Sequence, residues 1–296
     1  MERRIIALFG PTGVGKTAIA IALASRLRDS GERPVAVSAD ALQLYRGLEL
    51  LTAAPTAGER ASLEHQLVAC FAVSQRVSVA RYARLAHERI DALLAEGATP
   101  IVVGGTGLYL RAALANLELA PAPPPGVRER WVARLAEIGS EALHAVLAER
   151  APASAAKIAP ADRHRIVRAL ELHEVGALTP PRGASQLWSA EMRHPTRLIG
   201  LVMEREALYA RIDARVEEIV ASGARAEVEA AVRDGASATA SKALGFQELL
   251  DGDIEALKRR TRNYARRQLT WMRKLPDVEI VDVTGRSPDE VAAALQ

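Results

Sequence analysis

Residues Gly10-Pro11-Thr12-Gly13-Val14-Gly15-Lys16-Thr17 follow the spacing G-x-x-x-x-G-K-[ST]. Each residue type supplies one part of a phosphate site. The glycines permit a tight loop whose backbone N–H groups turn toward an anion. The lysine adds a point charge, and the hydroxyl after it reaches a Mg²⁺ ion. Asp40 is the second chemical candidate, placed just after the apolar run Val35-Ala36-Val37-Ser38. Ligands of open α/β sheets collect outside the carboxyl ends of strands, so Asp40 falls within reach of whatever the loop holds. Two roles stay open for it, a Mg²⁺ ligand or a general base acting on a nucleophile. A P-loop ATPase usually carries an acid at the end of a further buried strand. Here the run Pro100-Ile101-Val102-Val103 ends instead in Gly104-Gly105-Thr106-Gly107.

The elements that must position these residues are legible from hydrophobic patterning. Ile5 to Phe9 has strand length and character, and Ala18 to Leu27 is helix-like. Further strands are expected at 35–38 and 100–103, separated by a helix over 81–95. Strands alternating with helices imply a parallel sheet covered on both faces. The stretch Pro121-Ala122-Pro123-Pro124-Pro125 is a stiff break, and 127–175 reads as helical throughout. Strand character returns at 197–203, then helices over 205–222, 224–233 and 254–273, and a last strand at 278–283. The expected fold is α/β: a P-loop NTPase-like parallel-sheet core from residues 1–120 and 191–296, with a helical insertion domain at 121–190.

Composition narrows the class. The chain has 296 residues, 49% of them hydrophobic, which is enough for a substantial core. Its one cysteine excludes a disulfide framework and a cysteine metal cluster. The N-terminus runs straight into the first strand, and no apolar stretch reaches membrane-spanning length, so a cytoplasmic protein without a membrane partner is expected. Net charge is only +3, but residues 258–274, KRRTRNYARRQLTWMRK, hold eight Lys or Arg and no acid. Such clustering is an electrostatic footprint for a phosphate backbone.

Three local patterns occur together: Gly10–Thr17, Ser38–Gly47 (S-x-D-A-x-Q-x-Y-R-G) and Val103–Tyr109 (V-G-G-T-G-L-Y). Downstream come Asp162–Glu171, Ala243–Leu249 and Tyr264–Trp271, the last reading Y-A-R-R-Q-L-T-W. In this order, over nearly the whole chain, the set resembles the tRNA dimethylallyltransferases.

That resemblance implies transfer of a five-carbon group from dimethylallyl diphosphate to N6 of the adenosine 3′ of the anticodon. Gly10 to Thr17 would hold the leaving diphosphate, with Mg²⁺ on Thr17. Asp40 falls at the family's base position, and Thr106 matches a residue that contacts substrate near the reacting centre. Ala41, Leu42 and Gln43 match the loop that reads the base. Arg211 and Arg215 resemble a helix that reaches the diphosphate. The expected contacts with the tRNA anticodon stem-loop are Arg128; His164, Arg165, Ile166, Val167 and Arg168; Lys242, Ala243, Leu244, Gly245, Phe246 and Gln247; and Arg266, Arg267, Gln268, Trp271 and Arg273. The family implies a monomer. The chain departs from its pattern at Ala54, where a lysine is usual, at Glu64-His65, where paired histidines are usual, and at Phe246, where a tyrosine is usual. Rival readings are an adenylate isopentenyltransferase, a P-loop small-molecule kinase, and an RNA-binding protein without catalysis. The helical insertion and the basic C-terminal helix disfavour the first, and the intact Lys16, Thr17 and Asp40 disfavour the last.

Overall fold

The computed structural model describes residues 4–120, 122–179 and 186–295. Eight strands are assigned among them: β1 (Ile5–Phe9), β2 (Pro34–Ser38), β3 (Tyr45–Arg46), β4 (His65–Gln66), β5 (Phe71–Ala72), β6 (Thr99–Gly104), β7 (Thr196–Val202) and β8 (Glu279–Asp282). Six form one parallel sheet in the order β4-β2-β6-β1-β7-β8, and β3 pairs with β5 in a separate parallel ribbon. β1 lies inside this sheet, and all five of its residues, IIALF, are buried. An unbroken apolar run is what a strand covered on both faces requires.

The helices are α1 (Lys16–Asp29), α2 (Glu49–Thr52), α3 (Ala57–Ser62), α4 (Val79–Ala95), α5 (Gly107–Leu114), α6 (Val127–Arg150), α7 (Pro152–Ala155), α8 (Arg163–Glu174), α9 (Arg205–Ala221), α10 (Ala224–Arg233), α11 (Phe246–Asp251), α12 (Ile254–Met272) and α13 (Pro288–Ala294). By contacts the chain forms two compact units: Met1–Leu117 with Leu187–Gln296, and Glu118–Gln186. The first residue of the proline-rich break, Pro121, lies outside the described residues, as do 180–185 near the end of the expected insertion.

In the first unit the chain leaves β1 through α1 to β2 on one side of β1, and β7 lies on the other. Such a reversal of strand order opens a crevice at the carboxyl ends of the strands. The core beneath it includes Leu8, Leu23, Ile101, Ile199, Leu201 and Ile212. α12 buries Leu257, Thr261, Ala265, Gln268 and Met272, one helical face at three- and four-residue spacing. α13, which the periodicity does not announce, packs on α1 with Val291 and Ala292 buried. Its start carries a legible signal, the capping box formed by Ser287 and Glu290.

The second unit packs α6 against α8 and α7. Gly139 breaks α6 with φ 79° and ψ 173°, a conformation that the lack of a Cβ permits. Trp131, Leu143, Leu147, Ile166, Val167 and Leu170 build its core. Glu171 is fully buried there and is met by two cations, Arg128 Nη1 at 2.7 Å and Arg168 Nη1 at 3.2 Å.

Candidate active site

The glycine-rich loop follows β1, and α1 begins at Lys16. Gly15, the residue before it, takes φ 99°, a left-handed conformation costly for any residue with a side chain. Lys16 Nζ donates to Gly10 O at 3.0 Å and Pro11 O at 2.9 Å, so the ammonium is folded over the loop. Burial pushes the Lys16 pKa down to about 8, and Arg215 adds to that depression while Asp40 opposes it. α9 supplies two further cations. A Cβ built on Gly15 would stand 3.3 Å from Arg211 Nη2, which places the guanidinium over the loop. Arg215 is one turn on; burial holds its pKa below the usual arginine value, with Arg211 lowering it further and Glu218 and Glu59 opposing. The three cations therefore converge on the loop, and none of them has an acidic partner within ion-pair distance among the described residues. Two of the acids that α9 itself could offer these arginines are engaged elsewhere, Asp213 by Arg262 at 2.6 Å and Glu217 by Lys258 at 2.7 Å. Like charges gathered at a helix N-terminus make an anion site.

Asp40 follows β2 and is half-buried. Its Oδ1 accepts from Leu42 N at 2.9 Å and Gln43 N at 3.4 Å, while Oδ2 has no partner among the described residues. Three phenols feel its charge. Burial first, and Asp40 among the further causes, push Tyr264 and Tyr109 up to about 12 and Tyr82 well above the usual tyrosine value. All three therefore keep their protons at neutral pH. Thr106 precedes α5, but its hydroxyl makes no capping bond; Oγ1 instead lies 3.1 Å from Tyr264 Oη. The glycines around Thr106 follow from close packing. A Cβ on Gly104 would overlap Ala39 O, one on Gly105 would overlap Gln268 Nε2, and one on Gly107 would overlap the Trp271 ring.

The remaining expected site residues divide by where their side chains lie. Ala41 and Leu42 are half-buried beside Asp40, and Gln43 is tied inward to Ser38 Oγ at 3.0 Å and Ala53 O at 3.2 Å. His164, Arg165, Lys242, Gln247, Arg266, Arg267 and Arg273 are exposed, and Leu244 and Trp271 are half-buried. Trp271 packs on Trp188 with ring centroids 4.6 Å apart. Other expected RNA contacts are buried or already paired. Ile166 and Val167 sit in the core of the second unit, and Ala243, Gly245 and Phe246 are buried in the first. Gln268 is also buried, at 4% exposure, and Arg128 and Arg168 are committed to Glu171. The basic run at 258–274 is less single-signed than it reads, because Lys258, Arg260 and Arg262 pair with acids of neighbouring elements. At Ala54, where the family's lysine is missing, Arg215 Nη2 reaches the adjacent Ala53 O at 3.4 Å.

The phenol wall of Tyr82, Tyr109 and Tyr264 is not among the residues that the sequence motifs single out for chemistry. A signal existed for the last: Tyr264 precedes Gln268 by four residues, so both share one helix face.

A family model described as IPP transferase matches residues 43–275. The chain belongs to this family. A tRNA dimethylallyltransferase of Kineococcus radiotolerans is 43% identical over 93% of this chain and 89% of that protein. One from Mycobacterium sp. (strain KMS) is 41% identical over 99% of this chain and 98% of its own length. Among solved structures, the tRNA isopentenylpyrophosphate transferase of Bacillus halodurans superposes with a TM-score of 0.70 at 32% identity, covering 99% of this chain and 94% of the other. The transferase family model begins at Gln43, after the glycine-rich loop, but the two matches that cover 99% of this chain take in the loop as well. No helix among the described residues is long and apolar enough to cross a membrane.

Proposed function

We infer that this chain transfers a dimethylallyl group from dimethylallyl diphosphate to N6 of the adenosine 3′-adjacent to the anticodon in tRNA. Family membership supports the reaction class. The observation that carries the assignment of residues is the meeting, at one end of the sheet, of three cations over the glycine-rich loop with a carboxylate that has one oxygen held and one open.

Lys16, Arg211 and Arg215 bind the diphosphate and offset the charge it gains as the allylic C–O bond breaks. The N6 nitrogen forms the new bond to the allylic carbon, and Asp40 Oδ2 takes the N6 proton. Two backbone N–H groups on Oδ1 fix the carboxylate, so no reorganisation is needed at that step. Thr106 and Tyr264 present a linked pair of hydroxyls beside the same centre. The Thr17 hydroxyl is a hard oxygen donor that fits Mg²⁺, although no group of three or more His, Cys, Asp or Glu forms a cage among the described residues. Mg²⁺ held by Thr17 would neutralise charge on the leaving group.

The exposed residues Lys242, Gln247, Arg266, Arg267 and Arg273 of the first unit, with His164 and Arg165 of the second, take the tRNA backbone and position the anticodon arm.

The test is incubation with labelled dimethylallyl diphosphate and Mg²⁺, in parallel with unmodified tRNA and with AMP. Label in tRNA is expected; label only on AMP would move the chain to the free-nucleotide class. Asp40→Ala is expected to cut the transfer rate by about 10²–10⁴-fold, the usual span for a lost general base. Its tRNA affinity should be nearly unchanged, and a matching loss of affinity would make Asp40 a recognition residue.

A further inference from the structure

Gln268 lies on the basic helix α12 between exposed arginines, yet its own side chain points into the protein. Its Oε1 accepts from Thr12 N at 2.8 Å, and its Nε2 donates to Gly105 O at 2.8 Å. The partners fix the amide orientation, because one offers only a proton and the other only lone pairs. Thr12 belongs to the loop after β1 and Gly105 to the loop after β6, and these strands are neighbours with Phe9 opposite Gly104. The two loops also touch directly, since a Cβ on Gly105 would stand 3.0 Å from Gly10 O. One turn earlier on α12, Tyr264 meets Thr106.

We propose that Gln268 is a positioning residue: its amide straps the loop that holds the diphosphate to the loop that carries Thr106, and so sets the spacing between donor and acceptor. This rests on the transferase reading above. It replaces the RNA contact that the sequence position of Gln268 implies. Among the standard side chains only glutamine has this length with both a donor and an acceptor at its end. Methionine keeps much of the length and loses both bonds; glutamate keeps the shape and turns an oxygen toward Gly105 O.

The experiment measures three quantities on the full chain: the single-turnover rate of label transfer to tRNA, the affinity for tRNA, and the affinity for inorganic diphosphate. Gln268→Met and Gln268→Glu are expected to slow transfer by about 10²-fold, the scale of a small misplacement of reacting groups. Both affinities should stay within about threefold of the parent, as neither site loses a ligand-contacting group. Gly105→Ala displaces the same amide from the other side and should slow transfer similarly. Because the two changes break one contact, Gly105→Ala with Gln268→Met should be far less than additive. The proposal is overturned by an unchanged rate, by a loss of tRNA or diphosphate affinity equal to the loss of rate, by additivity, or by variants that fail to fold, which would make the strap purely structural. Absence of transfer by the parent protein would instead refute the transferase reading itself.

Discussion

Arginines cluster in both units, and they do opposite things. Over the glycine-rich loop, Lys16, Arg211 and Arg215 face one another with no acidic partner in ion-pair range among the described residues. In the helical unit, Arg128 and Arg168 converge on Glu171, a carboxylate with no exposed surface. The first arrangement is costly without an anion, and the second is costly without its acid. Uncompensated charge marks a place where a ligand completes the structure; compensated charge marks a place where the fold already has.

The largest effect should come from breaking the compensated cluster. Glu171→Ala leaves two guanidinium groups, each about a third exposed, without their acid and is expected to cost about 1–3 kcal/mol, the usual penalty for losing a buried hydrogen-bond partner. Urea unfolding of the full chain measures it. Arg211→Ala, by contrast, removes a repulsive neighbour and should not lower stability while it weakens diphosphate binding. Equal destabilisation by the two substitutions would erase the distinction between the clusters.

Lys16 sharpens the comparison through pH. Its pKa of about 8 in the free protein means that it carries charge below pH 8 and loses it above. Diphosphate favours the charged form, so binding must take up a proton above that pH. Affinity for inorganic diphosphate should then fall by up to about tenfold per pH unit above pH 8, as one linked proton requires. Diphosphate has its own ionisation, so the comparison is with Lys16→Arg, which stays charged throughout and should lack this component. Identical pH profiles for the two proteins would mean that Lys16 is not held near neutrality in the loop.

How much of this was legible in the sequence depended on range. The alternation of strands and helices, the glycine-rich loop and Asp40 are local patterns, and the sheet order places them together. The glycines of Gly104–Gly107 were visible as a motif, but their cause was not: each answers to a residue far away in sequence. Gln268 points inward from a helix that reads as basic, and the packing of α12 on the loops reveals that direction. The same blindness made 164–168 look like one RNA-binding stretch. A helix turns 100° per residue, so neighbours in such a run cannot share a face. Ile166 and Val167 therefore enter the core while His164 and Arg165 face out.

The smallest expected effect tests that last division directly. Arg165 is exposed, and among the described residues its side chain makes one polar contact, at 3.4 Å to Asp162, the residue that caps its own helix. An exposed contact of this kind contributes little to stability, which leaves the guanidinium available to a phosphate. Arg168, three residues on, is held by Glu171 and also donates to Ala120 O at 3.2 Å. Arg165→Ala should weaken tRNA binding by about threefold and reduce the salt slope by about 0.7–0.9, the value of one released counterion. Arg168→Ala should leave that slope unchanged and lower stability instead. A reduced slope for Arg168→Ala would show that Glu171 shares its arginines with the RNA, and that compensated charge in this unit is not closed to a ligand.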